Sequence, residues 1–212
     1  MKKMLLTGIA IVIGTVAFAQ EAATTQEPAK QKVKFGIKGG ANLATLRFSD
    51  DEVDDEKMRA SFYVGAVVEI PLSKNWYFEP GLTYLNNGAK REETVLGSKV
   101  ESEIAIQQIN LPLSLKWRAG RHFFFKGGGY VGHISSIELK GSALGQSASA
   151  KVDKDLYNNI DAGILLGMEL ETSFGLFFEL NANLGLTDIP KENFLAKEMK
   201  NTAVQLGVGF KF

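Results

Sequence analysis

The chain of 212 residues has no cysteine, only two histidines and five prolines, and equal numbers of basic and acidic residues. Without cysteine, disulfides and an N-terminal lipid anchor are excluded, so stability has to come from burial and backbone pairing. Two histidines leave little material for a soft-metal site, and we expect neither a metal nor a cofactor. A chain with no net charge also lacks the electrostatic field that recruits DNA or RNA.

Beyond the first twenty residues, the chain has no apolar run long enough for a membrane helix. The N-terminus itself combines two lysines, a short apolar run and the motif Ala17-Phe18-Ala19, which predicts a secretory signal peptide over 1–19. An uncleaved membrane anchor is the alternative. Residues 20–32 are small, polar and aperiodic, and we expect a flexible periplasmic leader there. The remaining residues, 33–212, suit a single domain.

From Val33 onwards, apolar and polar residues alternate with a period of two, which is typical of β-strands that present one apolar and one polar face. Eight such segments can be followed to the end of the chain. In the seventh, Leu180 and Leu184 share one face, whereas Glu179 and Asn181 share the other. The pattern therefore predicts eight strands.

Two of these segments depart from simple alternation. In the fourth, the apolar residues before and after Gln107 and Gln108 are out of phase, and a β-bulge near this point would absorb the shift. In the fifth, phenylalanines occupy both faces at 123–125. Lys126 and Tyr130 indicate that its even-numbered residues face inward.

Short and long connections alternate along the chain. The short ones are 73–75, 119–121 and 172–174, and the long ones are 47–60, 86–103, 135–158 and 187–201. Asn86-Asn87-Gly88 and the stretch 141–150 are predicted to be mobile loop tips. Because outer-membrane barrels have short periplasmic turns and long outer loops, this alternation predicts an all-β fold, a single eight-stranded antiparallel up-and-down transmembrane β-barrel. Both termini are then expected in the periplasm.

The polar face of these segments is unusually rich in charge. Its charged residues are Lys38, Glu69, Glu79, Lys116, Arg118, Glu169, Glu179 and Lys211. So many charges do not fit a dry soluble core, but they can pair in a hydrated lumen whose outside contacts lipid. Aromatic residues near strand ends match the girdles found at membrane interfaces. They are Trp76, Phe78, Tyr84, Trp117, Phe210 and Phe212.

Several short motifs are similar to those of a known family. They are Ile109–Lys116, with a proline in an apolar strand, Gly127–Gly132, Asp161–Gly163, Gly185–Ile189 and the closing Leu206–Phe212. In order and spacing, they resemble the PorT-like outer-membrane β-barrel proteins of Bacteroidota-type bacteria over 33–212. This resemblance implies an eight-stranded barrel among outer-membrane lipids, with a role that is mostly unassigned and one branch linked to a secretion machine. The last strand, with Phe210 and Phe212, looks like the signal read by the barrel-assembly machinery.

The residues offer little material for catalysis. His133 and Ser135, with Glu138 nearby, resemble the His-x-Ser arrangement of outer-membrane lipid A deacylases, in which histidine activates serine. No asparagine follows Ser135 and the surrounding residues do not match, so we expect no enzyme. His122 is expected in a solvated turn. The acidic run 50–56 lacks the spacing and turn glycine of an EF-hand loop, which favours a solvated outer loop over a cation site.

The interior of an eight-stranded barrel is just wide enough to be filled by side chains, which argues against a porin-like diffusion pore. The favoured function is a non-enzymatic membrane protein that contacts an unknown protein partner, or stabilises the envelope, through its outer loops or periplasmic rim. A narrow ion channel, a lipid A-modifying surface hydrolase and a periplasmic ligand carrier are the alternatives.

Overall fold

The computed structural model describes residues 32–48, 57–95, 98–143, 146–190 and 199–212. The predicted signal peptide, the leader up to residue 31 and the acidic run 50–56 lie outside these ranges. Within them, no helix is long and apolar enough to cross a membrane.

The described residues form nine β-strands and one short turn of 3-10 helix. The strands are β1 (Lys34–Phe48), β2 (Lys57–Pro71), β3 (Trp76–Val95), β4 (Ser98–Arg118), β5 (Phe123–Ala143), β6 (Gln146–Lys151), β7 (Ile160–Glu171), β8 (Leu176–Gly185) and β9 (Met199–Lys211), and the helical turn is Lys154–Leu156. All strand pairs are antiparallel, in the order β4-β3-β2-β1-β9-β8-β7-β5-β6. A further pairing of β4 with β5 closes the sheet.

The predicted eight-stranded barrel is confirmed. Closure is made by β1 with β9, from Gly36 opposite Lys211 to Phe48 opposite Met199, and by β4 with β5. The ninth strand, β6, stands outside the barrel because it pairs only with the last residues of β5. A closed ladder leaves the eight barrel strands without a free edge along the barrel wall.

The two faces of each strand follow the predicted alternation. On β8, Leu180 exposes 39% of its surface on the outside, whereas Glu179 and Asn181 expose 2% and 1% in the lumen. On β5, the even-numbered Phe124 and Lys126 are buried inward, as predicted. The barrel is therefore apolar outside and polar inside, the reverse of a soluble β-barrel.

The predicted bulge is confirmed in position but lies on the other strand. The register between β4 and β5 shifts at Gln107 and Gln108, and the extra residue is Ser135 of β5. Strand β4 keeps its phase, so Ile106 faces the lumen together with Gln108, and both are fully buried.

The three short turns are confirmed at 72–75, 119–122 and 172–175, and they lie together at one end of the barrel, here called the short-turn end. The third turn closes on Gly175, whose φ of +98° disfavours any side chain. A Cβ at this position would lie 2.2 Å from the carbonyl oxygen of Lys211. Both ends of the described barrel, Lys34 and Lys211, are also at the short-turn end.

Two of the predicted long loops are wrong in part. The described residues of the predicted loop 86–103 belong to β3 and β4, which pair from Asn86 opposite Gln107 to Val95 opposite Ser98. The predicted loop 135–158 contains the end of β5 and all of β6, paired from Glu138 opposite Lys151 onwards. We call these two paired regions, 90–95 with 98–103 and 138–143 with 146–151, the hairpin extension. It continues the barrel wall beyond the opposite end.

Candidate functional site in the lumen

The lumen near the short-turn end holds ten buried or half-buried charges in contact with one another. They are Lys34, Lys38, Lys116, Lys126 and Lys211 with Glu69, Glu79, Glu169, Glu171 and Glu179. We call this set the ion-pair layer. Five lysines and five glutamates balance, so the layer has no net charge.

Lys116 and Lys211 form the centre of the ion-pair layer. Lys116 Nζ lies 2.5 Å from a Glu69 oxygen and 3.3 Å from Glu171, and it also bonds to Glu169. Lys211 Nζ lies 2.8 Å from Glu69 and 2.6 Å from Glu169. Both ammonium groups are fully buried, and their cost of desolvation is offset because each contacts several carboxylates.

Glu179 joins two further lysines of the layer, Lys38 and Lys126. Its oxygens lie 2.9 Å from Lys38 Nζ and 2.7 Å from Lys126 Nζ, and the Tyr63 hydroxyl donates a hydrogen bond of 2.7 Å to the same carboxylate. Lys126 also lies 3.3 Å from Glu79. The members of the layer come from all eight barrel strands, which makes the network a cross-brace of the barrel.

Seven of the eight charges predicted for the lumen lie in the ion-pair layer. The exception is Arg118, which is half-buried at the mouth of the short-turn end and packs over the rings of Tyr77 and Phe124. Lys126, Lys34 and Glu171 were missing from the predicted set. The alternation of their strands placed all three on the polar face.

Three carboxylates of the layer, those of Glu69, Glu169 and Glu171, come within 4.8 Å of one another, close enough to hold one cation. The ammonium groups of Lys116 and Lys211 already contact all three. This acidic cluster is thus neutralised by the chain itself.

Further from the short-turn end, uncharged polar groups surround Asp161. Its carboxylate accepts hydrogen bonds from Gln108 at 2.8 Å, Asn201 at 3.0 Å, Thr187 at 2.9 Å and Tyr130 at 3.3 Å. These donors satisfy a buried carboxylate without a cation.

Beyond Asp161, a mostly apolar cluster fills the lumen at the end that carries the hairpin extension. It consists of Leu46, Ala89, Ile106, Ile134, Ile137, Tyr157, Ile189 and Met199. We call it the apolar plug. Ile106 and Ile134 are its most buried aliphatic members together with Ile189, at 0 to 1% exposure. Three different kinds of packing therefore follow one another along the lumen, between the mouth of the short-turn end and the hairpin extension.

The structure does not assemble the arrangement proposed for His133 and Ser135. His133 is exposed on the outer face, between Ile109 and Ile160 of the neighbouring strands, and Ser135 is the bulged residue. Within the described ranges, no hydrogen bond joins His133 to Ser135 or Glu138. His122 lies in the 119–122 turn, as expected, and its Nδ1 is 2.8 Å from the carbonyl oxygen of Glu171.

The barrel, its polar lumen and its apolar outside are matched by a family comparison. Residues 18–191 match the sequence model of the outer membrane protein beta-barrel domain family. The chain belongs to this family. It is therefore an integral barrel of the bacterial outer membrane, whereas membership of the PorT-like branch stays a prediction. No curated protein matches the sequence.

Solved structures of outer-membrane barrels share its fold. Ail, the attachment invasion locus protein of Yersinia pestis, is 15% identical, with a TM-score of 0.53, over 86% of this chain and all of Ail. Neisserial surface protein A is 10% identical, with a TM-score of 0.50, over 86% of this chain and all of that protein. At this identity the likeness concerns the fold alone.

In this outer-membrane barrel, the exposed apolar side chains form the lipid-facing surface. At the short-turn end, this surface carries a row of packed aromatic rings. Trp76 and Trp117 have ring centroids 6.5 Å apart, Trp117 and Phe125 are 6.0 Å apart, and Phe125 and Phe123 are 5.0 Å apart. The amphipathic indole rings of Trp76 and Trp117 favour the level of the lipid headgroups, which fixes one membrane interface at these strand ends.

Proposed function

We propose that this outer-membrane barrel is a closed, non-enzymatic scaffold that presents the hairpin extension at the cell surface to a protein partner. The observation that carries the proposal is the filled lumen. In this orientation the short-turn end and both termini lie in the periplasm, as is typical of bacterial outer-membrane barrels.

Closure is supported by the energetics of the three lumen regions. An ion that crossed the ion-pair layer would have to separate buried lysines and glutamates that each contact several partners. At the other end, the apolar plug offers almost no polar atoms to replace the hydration shell of an ion. Since both barriers stand in one path, we expect the resting barrel not to conduct.

The hairpin extension is supported as a contact surface by its ordered pairing. Its two hairpins form a groove of about 550 Å³ that is lined by Ile104 and Leu139 and by charged side chains. Glu103 lies 2.9 Å from Arg59 and 3.5 Å from Lys140, which holds the charged wall in place. A surface that is already ordered loses less conformational entropy on binding than a mobile loop does.

Planar-bilayer recording tests the closed scaffold. We expect no unitary current steps from the purified protein, whereas an open porin reconstituted in the same bilayer gives steps. Reproducible steps that survive repurification of the barrel would contradict the proposal.

The masses of lipid A test whether the barrel is an enzyme. We expect them to be unchanged after overexpression of the wild type and of His133→Ala. A mass change that depends on His133 would show an enzyme instead.

Site-specific photo-crosslinking on intact cells tests the contact surface. A crosslinking residue in place of Ser149, on β6 of the hairpin extension, is expected to give a discrete protein adduct. The same replacement at Ser173, in a short turn, serves as the matched control because both serines are exposed. Adducts that are absent at Ser149, or identical at both positions, would count against a partner at this surface.

A further inference from the structure

A cavity of about 460 Å³ opens at the short-turn end of the lumen. Its wall is formed by Lys34, Arg118, Arg121, His122, Phe124 and Glu171, with the first residues of the 172–175 turn. We propose that this mouth cavity binds the phosphate group of an anionic ligand. The site is separate from the hairpin extension, so the two proposals stand or fall independently.

The cavity carries an excess of positive charge. Three permanent cations line it against one carboxylate, and that carboxylate is already engaged by Lys34, whose Nζ lies 2.6 Å from a Glu171 oxygen. In the part of the chain that the structure describes, neither Arg118 nor Arg121 forms an ion pair. Two guanidinium charges are thus left uncompensated at the wall.

Arg118 is held in position without using its side-chain donors. Its guanidinium carbon lies 5.0 Å from the centroid of the Tyr77 ring and 5.4 Å from that of Phe124, which are cation–π distances. Its backbone N–H donates to the Asn75 carbonyl oxygen at 2.8 Å, which fixes the end of β4. Its Nε is buried, and no described acceptor satisfies it. A planar guanidinium held in this way is suited to bind an oxyanion through two parallel hydrogen bonds.

The second side of the cavity is equally fixed. His122 Nδ1 lies 2.8 Å from the Glu171 carbonyl oxygen, and the Glu171 N–H donates to the His122 carbonyl oxygen at 2.8 Å. Because a carbonyl oxygen only accepts, Nδ1 carries the proton, and Nε2 remains for a ligand or solvent. The turn that contains Arg121 is therefore pinned to the end of β7 and positions a second cation at the cavity.

The level of the cavity in the membrane favours phosphate over other oxyanions. On the outer face of the same strand ends, Trp76, Trp117 and Phe125 mark the headgroup level. Trp117 directly precedes Arg118 in β4, so the interfacial ring lies on the outer face of the strand and the cation on its inner face. At this depth a phosphate group can come from a phospholipid headgroup or from a soluble phosphate compound.

The chain supplies its own probe for this site, since its two tryptophans, Trp76 and Trp117, both lie at this rim. The barrel, folded in an uncharged detergent, is titrated at constant ionic strength with sodium phosphate, glycerol 3-phosphate and monomeric short-chain phosphatidylglycerol, and with sodium acetate. We expect a saturable change in tryptophan fluorescence with at least one phosphate compound. Arg118→Gln and Arg121→Gln should each weaken it about tenfold, the order of magnitude of one lost charge-assisted hydrogen bond.

Arg47→Gln is the matched control, because it removes the same charge from an exposed position at the other end of β1. It should leave the titration unchanged. Arg118→Lys keeps the charge but loses the planar fork, and it should bind more weakly than the wild type. Heat-modifiable gel migration of each variant verifies a folded barrel before titration.

Saturation by phosphate or glycerol 3-phosphate would identify a soluble ligand, and saturation by phosphatidylglycerol alone would identify a lipid headgroup. Both outcomes support the site. No saturable change with any phosphate compound, equal affinity for acetate, or equal affinity in Arg118→Gln and the wild type would overturn it.

Discussion

At the scale of single residues, Lys116 is one of two lysines, with Lys211, that each contact four glutamates of the ion-pair layer. Its ammonium group is fully buried among Glu69, Glu169 and Glu171. Lys116→Met would leave these carboxylates with fewer cations in a site that excludes solvent, and we expect a loss of about 3–5 kcal/mol in the free energy of unfolding. Urea unfolding in phospholipid vesicles measures this change.

Lys151→Met is the matched control for Lys116→Met. Lys151 forms an ion pair of 4.0 Å with Glu138, but its side chain is 79% exposed. Such a surface pair contributes about 1 kcal/mol or less. If both variants unfolded at the same urea concentration, the ion-pair layer would not be a stabilising brace.

Gly207 illustrates how glycines make room for large lumen side chains. A Cβ at Gly207 would lie 1.8 Å from the Tyr63 hydroxyl oxygen, and Tyr63 is itself held by Glu179. We expect Gly207→Ala to destabilise the barrel by about 1–3 kcal/mol through overpacking, and to cost less when combined with Tyr63→Phe. Gly141→Ala, which meets no atom within 4 Å, is the control. Equal unfolding curves for the two glycine variants would contradict this.

For the charged residues of the lumen, the sequence predicts the direction of each side chain but not its partners. Glu69, Lys116 and Glu179 lie within strictly alternating segments, and their inward direction follows from the period. Arg118 has the same inward phase, yet it lies at the mouth because β4 ends there. The pairing among the charges depends on strand neighbours that are distant in sequence, such as β1 with β9, and no local pattern contains that information.

At the scale of elements, the barrel strands were predictable and the hairpin extension was not. Within the membrane, lipid on one side and a polar lumen on the other impose alternation on every strand. Beyond the membrane, both faces of a strand can contact water, so β6, with the sequence QSASAK, has no large apolar side chain. Asn86-Asn87-Gly88 has the composition of a turn, but it lies within β3, where Gly88 adopts a φ of +135°.

Phe212, directly after the last strand, β9, is the residue for which we expect a role in barrel assembly. Phe212 is 70% exposed, and its backbone exchanges hydrogen bonds of 2.8 and 3.1 Å with Phe35. Because its ring is exposed on the outside of the barrel, we expect Phe212→Ala to slow assembly while leaving equilibrium stability nearly unchanged. The rate at which heat-modifiable barrel appears in the outer membrane after a pulse label measures assembly.

Phe174→Ala is the matched control for Phe212→Ala, because Phe174 is 65% exposed and lies at the same end of the barrel, in the turn between β7 and β8. It should assemble at the wild-type rate. If the two variants assembled equally fast, Phe212 would be only another lipid-facing side chain, and the role predicted for the last strand would be lost.

At the scale of the whole molecule, each of the three lumen regions stabilises a different part of the barrel, in a chain that has no disulfide. Charges brace the short-turn end, hydrogen bonds to Asp161 hold the middle, and the apolar plug closes the end with the hairpin extension. Each region joins strands that are far apart in the sheet order. The closed backbone ladder and these interior contacts together stabilise an eight-stranded barrel without a disulfide.

The orientation of the whole barrel determines which of its two ends is accessible from outside the cell. Because the chain lacks cysteine, Ser149→Cys and Ser173→Cys each introduce a single thiol, one in the hairpin extension and one in a short turn. On intact cells, a membrane-impermeant maleimide should label the variant at 149 and not the variant at 173, since only the first thiol would face the outside. After the outer membrane is permeabilised, both should be labelled to a similar extent. Labelling at 173 alone on intact cells would mean that the short turns face outward, and it would reverse the orientation on which the contact surface depends.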